Sequence, residues 1–271
     1  MKHELVICGI VCGEEEYLEE WLNFHILQGV GHFFLNINNP LDKTPDILKR
    51  YKDIVTLGTL PLTGDDLFNI HLWQLKAYDE LCRIAKKWTE WITILDVDEF
   101  IWSPSHDKVV EALKTFKDPG IGGVVVKWLM FGSNHHRNKT DGLVIERFTR
   151  RQDGTHPHCK SLFKASHYKE QGGNCHTVRV KGLIVNEKKR PQPKEYAVDF
   201  KAGTADIVAI NHYHCKSYEE CMKRLSLRDG KATEVKDKEH FFSVDDYNDV
   251  EDTRLLKYAD KIKLMIEERN K

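Results

Sequence analysis

Apolar stretches and helical repeats alternate along residues 5–100 of this chain. Residues 5–11 form a continuous apolar run, which is typical of a strand buried on both faces of a sheet. Residues 14–30 carry apolar side chains near helical spacing, and Gly29 and Gly31 end this predicted helix. The same alternation then predicts a strand at 32–37, a helix at 42–51, a strand at 54–57, a helix at 69–88 and a strand at 91–95. This order builds right-handed units around a parallel sheet, so we predict an α/β fold whose strand-end loops share one rim.

The rest of the chain is less regular and is expected to complete the same domain. A helix is predicted at 217–227, where Ser217 and Glu220 have the spacing of a capping box. Residues 254–266 have the apolar spacing of an amphipathic helix that docks on the sheet. Glycines punctuate the strand-like segments at 122–130, 143–149, 161–165 and 177–180. We therefore predict a single domain over residues 1–271, with 231–271 as a helical tail.

Composition narrows the class of protein. The 41 basic and 42 acidic residues nearly balance, which argues against a dedicated nucleic-acid binder. The apolar stretch near the start, residues 5–12, is far shorter than a membrane span and lacks the flanks of a signal peptide. The seven cysteines include no Cys-x-x-Cys pair, which favours a reducing compartment and excludes a typical cysteine-bound zinc site. We expect a cytoplasmic protein or a soluble domain of a longer one.

Two carboxylates follow the last strand of the first half. Asp96 and Asp98 come directly after residues 91–95, and the strand period of two predicts that their side chains share one face. Hard divalent cations prefer oxygen ligands and keep positions for water and phosphate. Glu99 should face the opposite way and bond to a neighbouring loop. The pair therefore predicts a metal site at the rim, where bound phosphate groups would be neutralised.

The chain contains 14 histidines, and two of them have a spacing that suggests chemistry. His212 and His214 lie two residues apart, so an extended backbone would place both rings on one face. We predict that His212, in its Asn-His-Tyr context, is a metal or phosphate ligand. A histidine taken singly elsewhere in the chain is more simply a hydrogen-bonded loop residue.

A series of short motifs occurs in a fixed order along the chain. They comprise 8–14, 17–21, His25, 29–33, Gln74, 77–78, Cys82, 91–100, Trp128, 131–133, 211–213 and 216–220. Together they resemble glycosyltransferase family 92 and the related family 2 glycosyltransferases, the DUF23 group, over residues 5 to about 230. The sequence departs from the family pattern at Cys12-Gly13, where Lys-Asn is usual, and at Ile37, where Asp is usual.

The resemblance implies a GT-A fold, with a mostly parallel Rossmann-like sheet, flanking helices and a smaller C-terminal acceptor-side region. It implies metal-dependent, inverting transfer of a sugar from a UDP- or GDP-linked donor to a glycan or other hydroxyl acceptor, with Mn²⁺ or Mg²⁺. Residues 1–102 would bind the nucleotide-sugar, and residues 103–230 would bind the acceptor and carry catalysis. The nucleotide would be bordered by Ile10, Val11, Glu14, Asn38 and Asn39. Asp96 would contact ribose, the metal or a metal-bound water, while Asp98 and His212 would ligate the metal.

Roles on the acceptor side are predicted from residue type. An inverting transferase needs a general base, for which Asp153 is favoured over Glu146 and Asp141, whereas a retaining reaction needs none. Lys160 and Arg151 would either bind the diphosphate or form surface ion pairs. For stacking on a sugar ring, Trp128 is better placed than Trp73 or Trp102, although core packing is the commoner role of tryptophan.

Three other functions remain open from the sequence. A sugar nucleotidyltransferase would use the same acids, but residues 12–16 are acidic where a triphosphate-binding loop is usually basic. A zinc hydrolase would use the histidines, although no His-Glu-x-x-His motif is present. An inactive sugar-binding module would not need the intact acids and His212. Preference for manganese or magnesium over zinc would separate the transferases from the hydrolase.

Overall fold

A computed structural model describes residues 2–38, 42–61, 63, 69–193, 204–229, 241 and 247–271. The strands are β1 His3–Val11, β2 Val30–Ile37, β3 Val55–Leu57, β4 Thr89–Ile94, β5 Glu99–Trp102, β6 Ile121–Met130, β7 Arg150–Arg151, β8 Cys159–Lys164, β9 Tyr168–Gln171, β10 Val178–Val180, β11 Leu183–Val185, β12 Ala209–His212 and β13 Val250–Glu251. The α-helices are α1 Leu18–Leu27, α2 Thr44–Arg50, α3 Ile70–Ala85, α4 Val109–Ala112, α5 Val144–Arg147, α6 Tyr218–Asp229 and α7 Ala259–Arg269.

The first four strands form the parallel half of the central sheet. Within the described residues the sheet has nine strands in the order β3-β2-β1-β4-β8-β6-β12-β5, and β11 also pairs with β6. Every pairing from β3 to β4 is parallel, so the loops that follow these strands lie at one rim. The predicted α/β class with a mostly parallel central sheet is confirmed.

Alternate residues of β1 enter two different cores. Leu5 and Ile7 belong to the larger apolar cluster, whereas Val6 and Cys8 pack in a second cluster with residues of α3. Both clusters exclude water, which explains why β1 is an uninterrupted apolar run in the sequence. No helix in the described part of the chain is long and apolar enough to span a membrane.

The second half of the sheet is mixed. β8 runs antiparallel to both β4 and β6, whereas β12 runs parallel to β6. β5 pairs antiparallel with β12 and ends the sheet. The chain therefore leaves β4 at the rim, crosses it in a short turn and returns as β5 beside β12. That crossing turn contains Asp96 and Asp98.

Three sequence predictions need correction. The strand predicted at 143–149 is wrong, because α5 occupies part of it and its first N–H groups, from Val144 and Ile145, bond to the carboxylate of Glu20. The helix predicted at 14–30 begins only at Leu18, after a turn. The predicted tail helix is shifted toward the C-terminus, with a 3-10 turn preceding α7.

The capping box predicted at the start of α6 is confirmed. Glu220 accepts the backbone N–H of Ser217, and the Ser217 hydroxyl oxygen accepts the backbone N–H of Glu220.

Candidate functional site

Backbone pairing brings the acidic turn to the end of β12. The register of β12 against β5 sets His212 opposite Glu99. One residue further out, the N–H of Tyr213 donates to the carbonyl oxygen of Asp98 over 2.9 Å. Two residues that are distant in sequence, Asp98 and His212, are therefore neighbours, with His214 following on the same strand exit.

Asp98, His212 and His214 form a group of potential metal ligands. One ligand atom from each lies within 4.8 Å of the others. His212 Nε2 is 3.5 Å from Asp98 Oδ1, and the two imidazole rings are 5.3 Å apart. The Nδ1 atom of His212 is buried and has no hydrogen-bond partner among the described residues. Two imidazoles and a carboxylate suit a divalent transition metal better than Mg²⁺, which prefers oxygen ligands.

Asp96 lies in the same turn as Asp98. β4 ends at Ile94, so both acids follow the strand rather than belong to it, and the prediction that their side chains share one face stays a prediction. Asp96 accepts hydrogen bonds from the Tyr78 hydroxyl at 3.1 Å and the Lys160 ammonium at 2.8 Å. Its oxygens lie outside the group of ligand atoms at Asp98. A contact from Asp96 to ribose or to a metal-bound water stays a prediction.

Lys160 lies beneath the acidic turn and is 1% exposed, so its ion pairs are not surface pairs. Its ammonium lies 2.8 Å from Asp96 and 3.1 Å from Glu99. Burial opposes its charge, but the two carboxylates outweigh burial and raise the pKa of Lys160 well above its usual value. Glu99 bonds to the turn itself rather than to a neighbouring loop, since its Oε2 accepts the N–H of Asp96. Burial raises the pKa of Glu99 to about 7.

Three charged side chains surround Asp98 from the α1 and α6 sides. Arg224 Nη1 lies 3.3 Å from Asp98 Oδ2, and the buried Lys216 acts electrostatically on both Asp98 and Glu14. Burial would raise the pKa of Asp98, but His212, Lys216 and Arg224 hold it well below its usual value. Burial raises the pKa of Glu14 to about 7, against the effect of Lys216. The predicted residue Glu14 is therefore close to the metal-ligand group.

The residues predicted to border the nucleotide end the parallel strands. Val11 is fully buried in the core, so it presents only backbone to the rim, where its carbonyl oxygen accepts the N–H of Asn38 at 2.8 Å. Ile10 pairs in register with Asn36 and is partly buried. The Asn36 Nδ2 is buried without a hydrogen-bond partner in the part of the chain that the structure describes. Sequence reasoning did not identify Asn36, and the predicted residue Asn39 lies outside the described residues.

The predicted base candidates lie in three different places. Asp153 is exposed in a turn before Gly154, and its N–H donates to Asp249 Oδ2 at 3.1 Å. Glu146 accepts from Lys263 at 2.5 Å and from the backbone N–H of Leu143, so it caps α5. Asp141 is exposed. None of Asp153, Glu146 and Asp141 has a described contact with the metal-ligand group.

Arg151 also lies apart from the metal-ligand group. Its Nε donates to Asp252 at 2.7 Å, and it lines a cavity of about 330 Å³ together with Arg254.

The acceptor-side tryptophans differ in their surroundings. Trp73 and Trp102 are core residues whose indole N–H groups donate to Pro61 and Asn211. Trp128 packs at 4.3 Å, centroid to centroid, on His212. It is also 7% exposed, and its Nε1 is buried without a hydrogen-bond partner among the residues described. Its ring also contacts three further histidines, at 156, 158 and 176.

Comparison with known proteins identifies the family of this chain. A family model described as glycosyltransferase family 92 matches residues 3–201. The chain belongs to glycosyltransferase family 92. The family expected from the motifs is therefore confirmed over residues 3–201, a range that includes the acidic turn and ends before His212 and His214.

Relatives of this family 92 chain include plant proteins of greater length. A glycosyltransferase family 92 protein of Arabidopsis thaliana is 26% identical over 113 residues, which is 39% of this chain and 18% of that protein. A family 92 protein of Ricinus communis is 26% identical over 125 residues, 44% of this chain and 20% of that protein. The matched segments thus span about a fifth of these curated relatives.

Solved structures resemble the family 92 chain more distantly. S. aureus TarS 1–349 in complex with UDP superposes with a TM-score of 0.39 at 14% identity, covering 60% of this chain and 47% of that one. A 4-diphosphocytidyl-2C-methyl-D-erythritol synthase gives a TM-score of 0.30 at 13% identity, covering 61% of this chain and 76% of that one.

Proposed function

We propose that this family 92 chain transfers a sugar from a nucleotide-sugar donor to an acceptor hydroxyl, with a divalent metal ion held by Asp98, His212 and His214. The observation that carries the proposal is the convergence of these three side chains, with ligand atoms within 4.8 Å of one another, at the carboxyl end of the parallel strands. Ligands of open α/β sheets bind at this end. Mn²⁺ is the proposed ion, since it is one of the two that the family resemblance implies and Mg²⁺ prefers oxygen ligands throughout.

The ion supplies positive charge toward the diphosphate when it is bound. The residues of the chain have separate tasks. Ile10, the backbone at Val11 and Asn38 border the nucleotide, in line with the UDP- or GDP-linked donor implied by the family. Lys160 keeps Asp96 ionised and fixed in place, so that Asp96 can accept a hydrogen bond from ribose or from water. This role of Lys160 replaces a direct contact to the diphosphate, since its ammonium already bonds two carboxylates.

The acceptor half is proposed to run an inverting reaction. The acceptor oxygen attacks the anomeric carbon, the bond from that carbon to the donor phosphate breaks, and the acceptor proton passes to a general base. Asp153 is the proposed base, because it is the favoured candidate that keeps an exposed carboxylate in a polar turn. Glu146 is less suitable because its carboxylate is bonded to Lys263 and to the backbone of α5.

The test compares metal and donor binding by the wild type and by Asp98→Ala. Electron paramagnetic resonance measures Mn²⁺ binding, and thermal unfolding measures stabilisation by UDP- and GDP-sugars with and without Mn²⁺. We expect one donor to stabilise the wild type only with Mn²⁺, and Asp98→Ala to lose Mn²⁺ affinity by tenfold to a hundredfold or more, as for loss of a charged partner worth ~1.5–3 kcal/mol.

A matched control is Asp260→Ala, which removes an exposed carboxylate on α7. It should bind metal and donor like the wild type. Two results would contradict the proposal. One is that Asp98→Ala binds the donor with wild-type affinity, and the other is that a chelator does not change donor binding by the wild type. Tight Zn²⁺ binding with donor hydrolysis and no transfer would favour the zinc hydrolase instead.

A further inference from the structure

Two cations lie close to Asp98, namely Lys216 just before α6 and Arg224 within α6. We infer that Lys216 and Arg224 bind the diphosphate of the donor and stabilise it as the leaving group, an inference that rests on the proposed function. The resemblance marks residues 216–220 only as a landmark, and no role for Arg224 follows from the sequence.

Lys216 is an unusual residue for its position. It has a φ of 53°, which lysine rarely adopts, and it is only 5% exposed. Its ammonium lies 4.4 Å from the centre of the Tyr17 ring, yet neither a hydrogen bond nor an ion pair joins it to any described residue. A buried lysine without an anionic partner is costly unless a ligand supplies one. The carboxylates of Glu14 and Asp98 interact with it electrostatically.

Arg224 has N–H donors near Asp98 that form no hydrogen bond with the described residues. It approaches Asp98 through Nη1 at 3.3 Å, whereas its Nε and Nη2 are buried without hydrogen-bond partners among the described residues. A guanidinium presents its donors in a planar fork that matches phosphate oxygens. The unpaired donors of Arg224 and the unpaired ammonium of Lys216 therefore constitute a cationic pair beside Asp98.

The balance of charge indicates what this pair binds. A divalent cation at Asp98 shares that carboxylate with Arg224, and like charges at such short range repel strongly in a partly buried site. Lys216 adds a further positive charge, while Asp98 and Glu14 carry the negative charge here and the nearby Asp96 is already paired with Lys160. A multiply charged anion in contact with all of them restores the balance. The diphosphate of a nucleotide-sugar is such an anion.

The same pair has a function in the transfer step. When the bond between the sugar and the terminal phosphate breaks, its electron pair stays on the phosphate oxygen. Meanwhile the acceptor oxygen bonds to the sugar and its proton leaves to the general base. Lys216 and Arg224 would stabilise the negative charge that develops on the departing phosphate oxygen. Hydrogen-bond donors that are already fixed in place are most effective at this step.

A purely structural role for the two cations predicts a different outcome. If they served only to neutralise Asp98, their removal would weaken the fold or alter metal binding without any selective effect on phosphate. The decisive comparison therefore measures Mn²⁺ and diphosphate separately on the same full-length variants.

The experiment uses Lys216→Met and Arg224→Met, which keep the length of the apolar stem but remove the charge, and the conservative Lys216→Arg and Arg224→Lys. Lys223→Met is the matched control, because Lys223 is an exposed lysine next to Arg224 on α6 that pairs with Glu16. Electron paramagnetic resonance gives Mn²⁺ affinity, and calorimetry gives the affinity for inorganic pyrophosphate, UDP and GDP in the presence of Mn²⁺.

We expect both methionine variants to bind Mn²⁺ as tightly as the wild type or more tightly, since a repelling charge is gone. Each should lose about tenfold or more in affinity for pyrophosphate and for the nucleoside diphosphate that the wild type binds. The conservative variants should recover part of the loss, and Lys223→Met should lose nothing. Opposite effects on metal and diphosphate cannot arise from misfolding, which would weaken both.

Two results would overturn the inference. If the wild type binds Mn²⁺ and a diphosphate and both methionine variants bind the diphosphate equally well, the inference fails while the proposed function stands. If the wild type binds neither Mn²⁺ nor any diphosphate, the proposed function fails and the inference fails with it.

Discussion

The buried ammonium of Lys160 holds the acidic turn through two ion pairs, one with the buried Glu99 and one with the half-exposed Asp96. Its ammonium pairs with Asp96 and with Glu99, and Glu99 in turn accepts the backbone N–H of Asp96. A buried ion pair adds little net stability, but removing one partner leaves an uncompensated charge in the protein interior. At the scale of residues, the turn is therefore positioned by side chains that need not touch a ligand.

Asp153 is the residue whose predicted role is easiest to test alone. Asp153→Asn keeps the shape of the side chain and, because the native carboxylate is exposed, should leave stability within about 0.5 kcal/mol of the wild type. If Asp153 is the base, kcat should fall about 100-fold or more while donor affinity stays unchanged. Steady-state kinetics with the donor found by thermal unfolding measures both. An unchanged kcat would show that another residue is the general base, or that the reaction retains the configuration of the anomeric carbon.

The sequence predicts part of this site and misses the rest for physical reasons. An apolar strand followed by Asp96 and Asp98 identifies the turn, and the Asn-His-Tyr motif identifies His212. β4 ends at Ile94, before both acids, so strand periodicity does not determine how their side chains are oriented. Lys216 and Arg224 matter because α6 packs against the turn, and no local pattern encodes that contact.

At the scale of elements, β5 is an edge strand, and side chains of α1 form hydrogen bonds with its backbone. The indole N–H of Trp21 donates to the carbonyl oxygen of Glu99 at 2.9 Å, and the N–H of Ile101 donates to His25 Nε2 at 3.1 Å. Exposed edge strands invite unwanted pairing, and covering them is a common remedy. The Glu-Trp and His motifs of the first helix thus protect the strand that begins next to Asp98.

The buried imidazole of His25 should make the folding stability of the protein depend on pH. Burial lowers the pKa of His25 to about 3, so it stays neutral in the fold, while the unfolded chain binds a proton below about 6.5. Because the unfolded state then holds more protons, folding stability should fall as the pH falls from about 6.5 towards 3, by about 2 kcal/mol at pH 5. Urea unfolding at pH 7 and pH 5 measures this difference.

Two variants isolate the contribution of His25. His25→Asn should be less stable at pH 7, since it loses bonds to Trp21 and Ile101, but its stability should change less between pH 7 and pH 5. His71→Asn, at an exposed position on α3, should keep the pH dependence of the wild type. An unchanged pH dependence in His25→Asn would show that other groups cause it.

Periodicity predicts the elements that are long and locally patterned. The strands and helices from β1 to β4 follow from apolar spacing, since each buries a face that its own sequence defines. β5 and β12 are only four residues long and are stabilised by pairing with each other across a long sequence separation. The local sequence at 143–149 predicts a strand and not α5, because the side chain that caps this helix, Glu20, lies far away in sequence on α1.

At the scale of the whole molecule, a buried ion pair links α5 to α6 and to the start of α1. Arg147 donates to both oxygens of Glu220, at 3.0 and 2.8 Å, and the Tyr17 hydroxyl donates to the same carboxylate at 2.8 Å. Burial would raise the pKa of Glu220, but hydrogen bonds from Arg147, Ser217 and Tyr17 outweigh it and lower the pKa to about 2. The predicted nucleotide and acceptor halves meet at this contact.

Breaking this link should destabilise the protein strongly. Arg147→Met and Glu220→Gln should each cost ~3–5 kcal/mol in unfolding free energy, because each leaves a buried partner unpaired. The double variant should lose clearly less than the sum, since the second change removes the orphaned partner. Urea denaturation of all four proteins gives the coupling energy.

The exposed pair Arg179–Glu170 offers a matched cycle for comparison. Its side chains are 63% and 50% exposed, so its coupling should lie between about 0 and 1 kcal/mol. A coupling at Arg147–Glu220 no larger than at this surface pair would contradict the structural role assigned to it.

The bond from Tyr213 to the carbonyl of Asp98 has a consequence for how the protein is made. A nascent chain that has emerged only through β6 already contains the acid but neither imidazole, because both histidines follow in and just after β12. Until that late strand docks, manganese would meet a lone carboxylate and bind it weakly. Under the proposed function, tight metal uptake therefore requires that β12 has docked beside β5 and β6, and a metal-loaded sample shows that this docking has occurred.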